Sequence, residues 1–168
     1  MDIYQSFENA IKLEKASGYG FAILGAVFLL ISGYFFFLAD KNGILVSAKY
    51  PCLIAGVFML VSSPIFVSTI DKKVKTQTEI YNQDKATFVK SELERNEKLF
   101  NGFKTYRLAF AIVAVIALFI TVYFRQSLVG GISFVVFLFS MYSSISEHYS
   151  YIKGGQYLTE LRQWNEHK

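Results

Sequence analysis

Hydrophobic residues are concentrated in four long stretches, and charged segments separate them. The uncharged intervals lie between Lys15 and Asp40, between Lys49 and Asp71, between Arg107 and Arg125, and between Arg125 and Glu147. A helix needs roughly 20 apolar residues to cross the ~30 Å hydrocarbon core of a bilayer. The pattern therefore predicts an all-α integral membrane protein with four transmembrane helices, at residues 19–39, 50–70, 106–124 and 128–146.

The spacing of these stretches predicts two helical hairpins joined by a third, water-facing one. "DKNG" is a turn signal after the first stretch, and only a short segment, "RQSLVGGI", separates the third stretch from the fourth. The expected segments are an amphipathic N-terminal helix (1–18), a transmembrane hairpin (19–70), a cytosolic helical hairpin (71–106), a second transmembrane hairpin (107–147) and a cytosolic C-terminal helix (148–168).

The two terminal segments carry helical apolar stripes. Ile3, Phe7 and Ile11 recur every four residues, which predicts a helix that either lies in the membrane interface or packs on the protein's own cytosolic helices. "SGYG" (17–20) and Gly154–Gly155 predict breaks or bends between these segments and the neighbouring spans.

The central segment reads as two helices with an interruption at "NQDK", where Asn82 or Asp84 is a candidate N-cap. The second helix carries a heptad stripe with one polar position. Its members are Val89, Leu93, Asn96, Phe100 and Phe103. A polar residue in such a stripe can fix register and oligomeric state, so these residues are predicted to bind a partner, either a second copy or a membrane-complex subunit. The alternative is packing against the protein's own helix at 71–81.

Basic residues predict the orientation, because they gather on the cytoplasmic flanks of membrane proteins. The N-terminal, central and C-terminal segments together hold 14 of the 17 lysines and arginines, and only Lys41, Lys49 and Arg125 lie on the other side. Both termini and the central loop are therefore expected in the cytosol. The net charge of +4 is then accounted for by basic residues that face anionic lipid headgroups. Nucleic acid is not expected as a partner.

The predicted spans contain no charged residue, which argues against a proton-coupled transporter and a voltage sensor. Pro64 predicts a kink, with Ser62 and Ser63 able to bond the freed carbonyl groups. Glu147 and His148, at the cytosolic exit of the fourth span, are a weak candidate for an acid–base or metal site. The favoured interpretation is that His148 is a polar residue in contact with water.

The sequence contains no nucleotide-binding loop, hydrolase elbow, zinc motif or cysteine pair, so neither a cofactor nor a metal is expected. The first functional hypothesis is a non-catalytic membrane subunit that anchors, assembles or regulates a complex through its cytosolic helices. Small residues and serines in the spans support an alternative, an oligomeric pore or channel, for example in defence or toxin immunity.

Arg162 and His167, separated by four residues, resemble the R-x(4–6)-H pair of HEPN ribonucleases. In that family the pair acts on the RNA phosphodiester, usually across a dimer, within a bundle of several helices. The resemblance covers six residues, and few residues are expected in the cytosol to build such a bundle. The favoured interpretation is a basic, aromatic tail helix, with Trp164 at the headgroup level and Arg162 toward a phosphate or a partner. A membrane-anchored HEPN-like ribonuclease is the remote alternative.

Overall fold

The computed structural model describes residues 3–37 and 46–166, which form four long helices. They are α1 (Ile3–Phe37), α2 (Lys49–Gln83), α3 (Lys85–Tyr123) and α4 (Leu128–Glu166), with one 3-10 turn at Val46–Ala48 before α2. Each helix is long and apolar enough to cross a membrane. The predictions of an all-helical chain and of four candidate membrane spans are therefore confirmed. The turn predicted at 40–43 lies outside the described residues.

The breaks predicted at 17–20 and at Gly154–Gly155 are wrong, because α1 and α4 run through both sites as continuous helix. A glycine in a helix interior costs only about 1 kcal/mol relative to alanine. Here the glycines let neighbouring helices approach. A Cβ on Gly18 would lie 2.8 Å from Val67, and one on Gly155 would lie 3.1 Å from the ring of Phe100.

The interruption between α2 and α3 is confined to Asp84, whose backbone is extended. Its carboxylate accepts a hydrogen bond from the backbone N–H of Ala86 at 2.9 Å and another from the hydroxyl of Thr87. This arrangement satisfies one of the free N–H groups at the start of α3. Of the two N-cap candidates, Asp84 is the one confirmed.

Hydrogen bonds between α1 and α2 show that the two helices run in opposite directions. The Ser32 hydroxyl donates to the carbonyl of Lys49 at 2.8 Å, and the Ser63 hydroxyl donates to the carbonyl of Gly18 at 2.7 Å. Ser63 therefore bonds the neighbouring helix, contrary to the prediction that it would bond a carbonyl freed by Pro64. A serine satisfied in this way links two helices and has its own hydroxyl donor paired within the apolar layer.

Helices α3 and α4 also run in opposite directions. The Ser144 hydroxyl donates to the carbonyl of Arg107 at 3.1 Å, and the rings of Phe100 and Tyr151 stack with centroids 4.6 Å apart. Three residues after Arg107, Phe110 meets Phe139 edge to face.

Two hydrophobic clusters lie at different heights in this bundle. The span cluster joins α1, α2 and the 3-10 turn through Phe28, Phe35, Ala48, Cys52 and Met59. The polar-end cluster joins the charged ends of all four helices through Ile3, Phe7, Ile11, Ile70, Phe88, Val89, Tyr157 and Leu161. The N-terminal stripe is thus buried against the protein's own helices, which was one of its two predicted placements.

The outer surface of the apolar segments is itself apolar. Leu30 is 74% exposed, Phe58 70% and Phe119 71%, each on a different helix. Soluble domains rarely expose a continuous apolar surface of this kind, whereas lipid chains solvate it without cost. The structure is therefore that expected of a multi-pass membrane protein.

Candidate functional site: an ion network at the polar end

A charged network lies beside the polar-end cluster, and every helix contributes to it. Its members are Glu14 from α1, Lys73 from α2, Glu92, Arg95 and Asn96 from α3, and Tyr157 from α4. The contacts between helices in this network join residues 59 to 81 positions apart in sequence, so it forms only when the four helices are assembled.

The centre of the network is a carboxylate with no exposure to solvent. Glu92 is 0% exposed and receives two hydrogen bonds from Arg95, Nε to Oε1 at 2.9 Å and Nη2 to Oε2 at 2.7 Å. This fork-to-fork geometry is the strongest pairing available to a carboxylate in proteins. Asn96 adds a hydrogen bond at 3.1 Å and the Tyr157 hydroxyl another at 3.4 Å, both to Oε2.

Arg95 also links α3 to α1, and Glu14 links α1 to α2. Nη1 of Arg95 donates to Oε1 of Glu14 at 2.7 Å, and Nζ of Lys73 donates to Oε2 of the same carboxylate at 2.8 Å. Two carboxylates and two cations are thus arranged in one chain of contacts, and their formal charges sum to zero. Near-complete pairing is what makes buried charge tolerable.

The electrostatics of the site follow from burial and pairing. Burial opposes ionisation of Glu14, but Arg95 and Lys73 outweigh that effect and hold its pKa below the ordinary value. Burial also opposes the charged form of Arg95, yet Glu92 and Glu14 raise its pKa. Burial and the neighbouring carboxylate of Glu92 raise the pKa of Tyr157, which keeps its hydroxyl protonated as a donor. These shifts favour the charged forms of Glu14 and Arg95 and the protonated hydroxyl of Tyr157 at neutral pH.

The predicted partner-binding stripe on α3 lies on its inward side. Val89 and Asn96 are buried, and Leu93 packs against the polar-end cluster. Phe100 stacks on Tyr151 of α4, and Phe103 lies 3.5 Å from where a Cβ on Gly154 would stand. Within one chain, Phe100 and Phe103 thus pack on α4. Val89 belongs to the polar-end cluster, against which Leu93 packs together with Val74, Ile80 and Tyr81 from the segment 71–81 that the sequence alternative had named.

The C-terminal residues singled out in the sequence also have partners within the chain. Nη2 of Arg162 donates to Oε1 of Glu97 at 2.8 Å, and both side chains are about half exposed. Trp164 packs against the polar-end cluster. His167 lies outside the described residues, so the pairing of Arg162 with His167 stays a prediction.

A groove of about 670 Å³ lies along α3 next to the ion network. Its walls are Ser91, Glu94, Arg95, Lys98, Leu99, Gly102, Phe103, Tyr106 and Glu147. His148 points elsewhere, with Nδ1 lying 3.4 Å from the guanidinium of Arg107. The pair Glu147 and His148 therefore does not converge on one site.

Sequence reasoning missed Glu92 and Arg95 as the centre of this site. A signal was present, because Glu92 lies three residues after Val89 and four before Asn96, on the stripe that had been assigned to packing. Within the described part of the chain, no three His, Cys, Asp or Glu residues are grouped so that they could hold a metal ion. Comparisons with known protein families, with curated proteins and with solved structures find no match to this chain.

Proposed function

We propose that this protein is a non-catalytic, multi-pass membrane subunit that anchors or assembles a complex through the water-facing bundle at its polar end. The observation that carries the proposal is the four-helix ion network. It fixes the charged ends of all four helices into one body, and that body continues directly into the four candidate spans. A rigid bundle attached to membrane helices is suited to positioning a partner at the membrane surface.

The proposed topology consists of two transmembrane hairpins with the polar end in the cytosol. The support is the concentration of lysine and arginine in the segments that form the polar end, in accordance with the positive-inside rule. Several of these cations, including Lys72, Lys75 and Lys90, are exposed. They are available to anionic headgroups or to an acidic partner, and each is worth roughly 1 kcal/mol near an anionic leaflet.

The partner surface in this proposal is the exposed side of the bundle together with those stripe residues that remain partly exposed, namely Leu93, Phe100 and Phe103. Arg162 and Trp164 extend this surface toward the end of α4. A second copy of the chain or another membrane subunit could bind there.

The test is co-purification from native membranes in mild detergent. Charge reversal at Lys72, Lys75 and Lys90 changes only exposed side chains, so the bundle should stay folded while a complex held by the polar end is lost. The control is charge reversal of Arg125, an exposed cation at the opposite end of the molecule, which should leave the complex intact. A complex that survives the triple reversal, or that is lost equally with the Arg125 variant, contradicts the proposal.

The pore alternative loses part of its motivation in this structure. Two serines in the spans, Ser32 and Ser63, bond carbonyl groups of neighbouring helices. The buried hydroxyl of Ser143, in contrast, has no hydrogen-bond partner among the described residues. A ring of subunits in detergent with ion flux in liposomes would favour the pore over the scaffold.

A further inference from the structure

Glu147 has a carboxylate oxygen that the protein does not satisfy. Its Oε2 is buried and has no hydrogen-bond partner among residues 3–37 and 46–166. The side chain lies in the wall of the groove along α3. A buried acceptor without a donor costs free energy comparable to a lost hydrogen bond, and more when the group is charged. Because the side chain lines the groove, rotation of its carboxylate would present this oxygen to a donor supplied from outside the chain.

The cations in the groove are already engaged. Arg95 is shared between Glu92 and Glu14, and Nζ of Lys98 lies 3.0 Å from Oε1 of Glu94. None of the ion pairs formed by the described residues includes Glu147. The uncompensated charge of the groove is therefore a single negative one, which selects a cationic ligand.

The groove lies where the charged part of the bundle meets its apolar part. Tyr106 lines the groove where α3 enters its apolar segment, and its side chain is 56% exposed. Leu108, two residues further into that segment, is 63% exposed. Aromatic side chains favour the headgroup level of a bilayer. A ligand that reaches this depth carries its polar group on an apolar chain, as a membrane lipid does.

We propose that this groove binds the primary ammonium group of a phospholipid headgroup, as in an ethanolamine lipid, with Glu147 as the acceptor. The missing partner is a hydrogen-bond donor. A primary ammonium has three N–H groups, whereas a trimethylammonium group has none. Phe103 and Tyr106 add aromatic walls that attract cations of either kind. Selectivity for the primary amine must therefore come from the hydrogen bond to Glu147. The inference depends on the membrane placement of the helices but not on the scaffold role proposed above.

The experiment is native mass spectrometry of the detergent-solubilised full chain with added ethanolamine, N-methyl-, N,N-dimethyl- and choline phospholipids of the same acyl chains. A charged hydrogen bond should favour the ethanolamine lipid over the choline lipid by about tenfold, with the main loss at the last methylation, when the final N–H disappears. Glu147→Gln should bring the ratio close to one. Glu166→Gln, an equal charge change at the end of α4, should leave it at about ten.

A second variant tests the groove without touching the carboxylate. Gly102 lies in the wall, and a Cβ there would stand 3.2 Å from the Tyr106 ring. Gly102→Leu should fill the space and lower retention of every lipid in the series. Equal retention of ethanolamine and choline lipids by the unmodified protein would overturn the proposal, whatever the variants do. A preserved preference in Glu147→Gln would overturn it as well. Intact lipid selectivity, together with a partner complex that survives the charge reversal of Lys72, Lys75 and Lys90, would refute only the scaffold role.

Discussion

Arg95 binds the carboxylate of Glu92, one helical turn earlier on α3, through two hydrogen bonds of 2.9 and 2.7 Å. The two side chains differ in burial, because Glu92 is fully buried whereas the Arg95 side chain is 19% exposed. Arg95 reaches Glu14 with its remaining nitrogen, so one side chain connects a buried acid on α3 to a carboxylate on α1.

Removing the Arg95 side chain should therefore strongly destabilise the bundle. Arg95→Ala leaves Glu92 as a buried charge without its main partner, and such a break costs about 3–5 kcal/mol. The control is Lys98→Ala on the same helix, which breaks only the exposed pair with Glu94 and should change stability far less. Thermal unfolding of both variants in detergent, followed by circular dichroism, measures the difference. Equal losses would show that the Glu92–Arg95 pair does not stabilise the fold.

Acid should weaken the same network through Glu14. The pKa of this carboxyl is lowered in the folded protein, so the unfolded chain binds the proton more tightly. Its contribution is therefore fully present above the ordinary carboxyl pKa near 4.5 and is lost as the pH falls through the lower folded value. Glu14→Gln should be less stable than the unmodified protein at pH 7, and the gap should narrow toward pH 3. A gap independent of pH would contradict this account.

Local pattern and spacing were sufficient to predict the four helices, but not how their charged ends assemble. Uninterrupted apolar runs predict spans because a helix must be apolar over its whole length in the hydrocarbon core of the bilayer. Asp84 was recognisable as a cap from its position between two helical patterns. The burial of Glu92 depends on Glu14 and Tyr157, which are more than sixty residues away, so no window of sequence contains the whole site. The failed prediction of glycine breaks has a similar cause, because Gly18 allows the close approach of Val67 on α2, a contact that lies outside the local sequence.

The close approach of α1 and α2 gives a matched pair of glycine substitutions. A Cβ on Gly25 would stand 3.0 Å from the backbone carbonyl oxygen of Gly56, whereas a Cβ on Gly33 meets nothing within 4 Å. Gly25→Ala should cost about 1–3 kcal/mol through overpacking. Gly33→Ala, on the same helix, should be neutral or stabilising by up to about 1 kcal/mol. Melting temperatures in detergent compare the two, and similar shifts would mean that the helices are not packed this closely.

The proposed orientation can be checked with two glutamines at opposite ends of the molecule. Gln83 and Gln126 are both exposed, one at the end of α2 and one in the turn before α4. A cysteine at Gln126 should react with a membrane-impermeant thiol reagent in intact cells, and a cysteine at Gln83 should react only after the cells are opened. The native Cys52 is buried and provides the background. The reverse pattern would place the polar end outside the cell.

Substitutions at Arg162, Trp164 and His167, near the end of the chain, distinguish a structural role from a catalytic one. Trp164 packs on the polar-end cluster, so Trp164→Ala should destabilise the protein by about 1–3 kcal/mol, as expected for a partly buried aromatic side chain. Arg162→Ala breaks a half-exposed pair with Glu97 and should cost at most about 1 kcal/mol, and His167→Ala should leave stability unchanged. A ribonuclease requires the opposite order in a cellular assay, with function lost in Arg162→Ala and His167→Ala at normal membrane levels. The three variants, compared for both stability and complex formation, decide between the roles, because only a catalytic pair makes His167 indispensable while the fold stays intact.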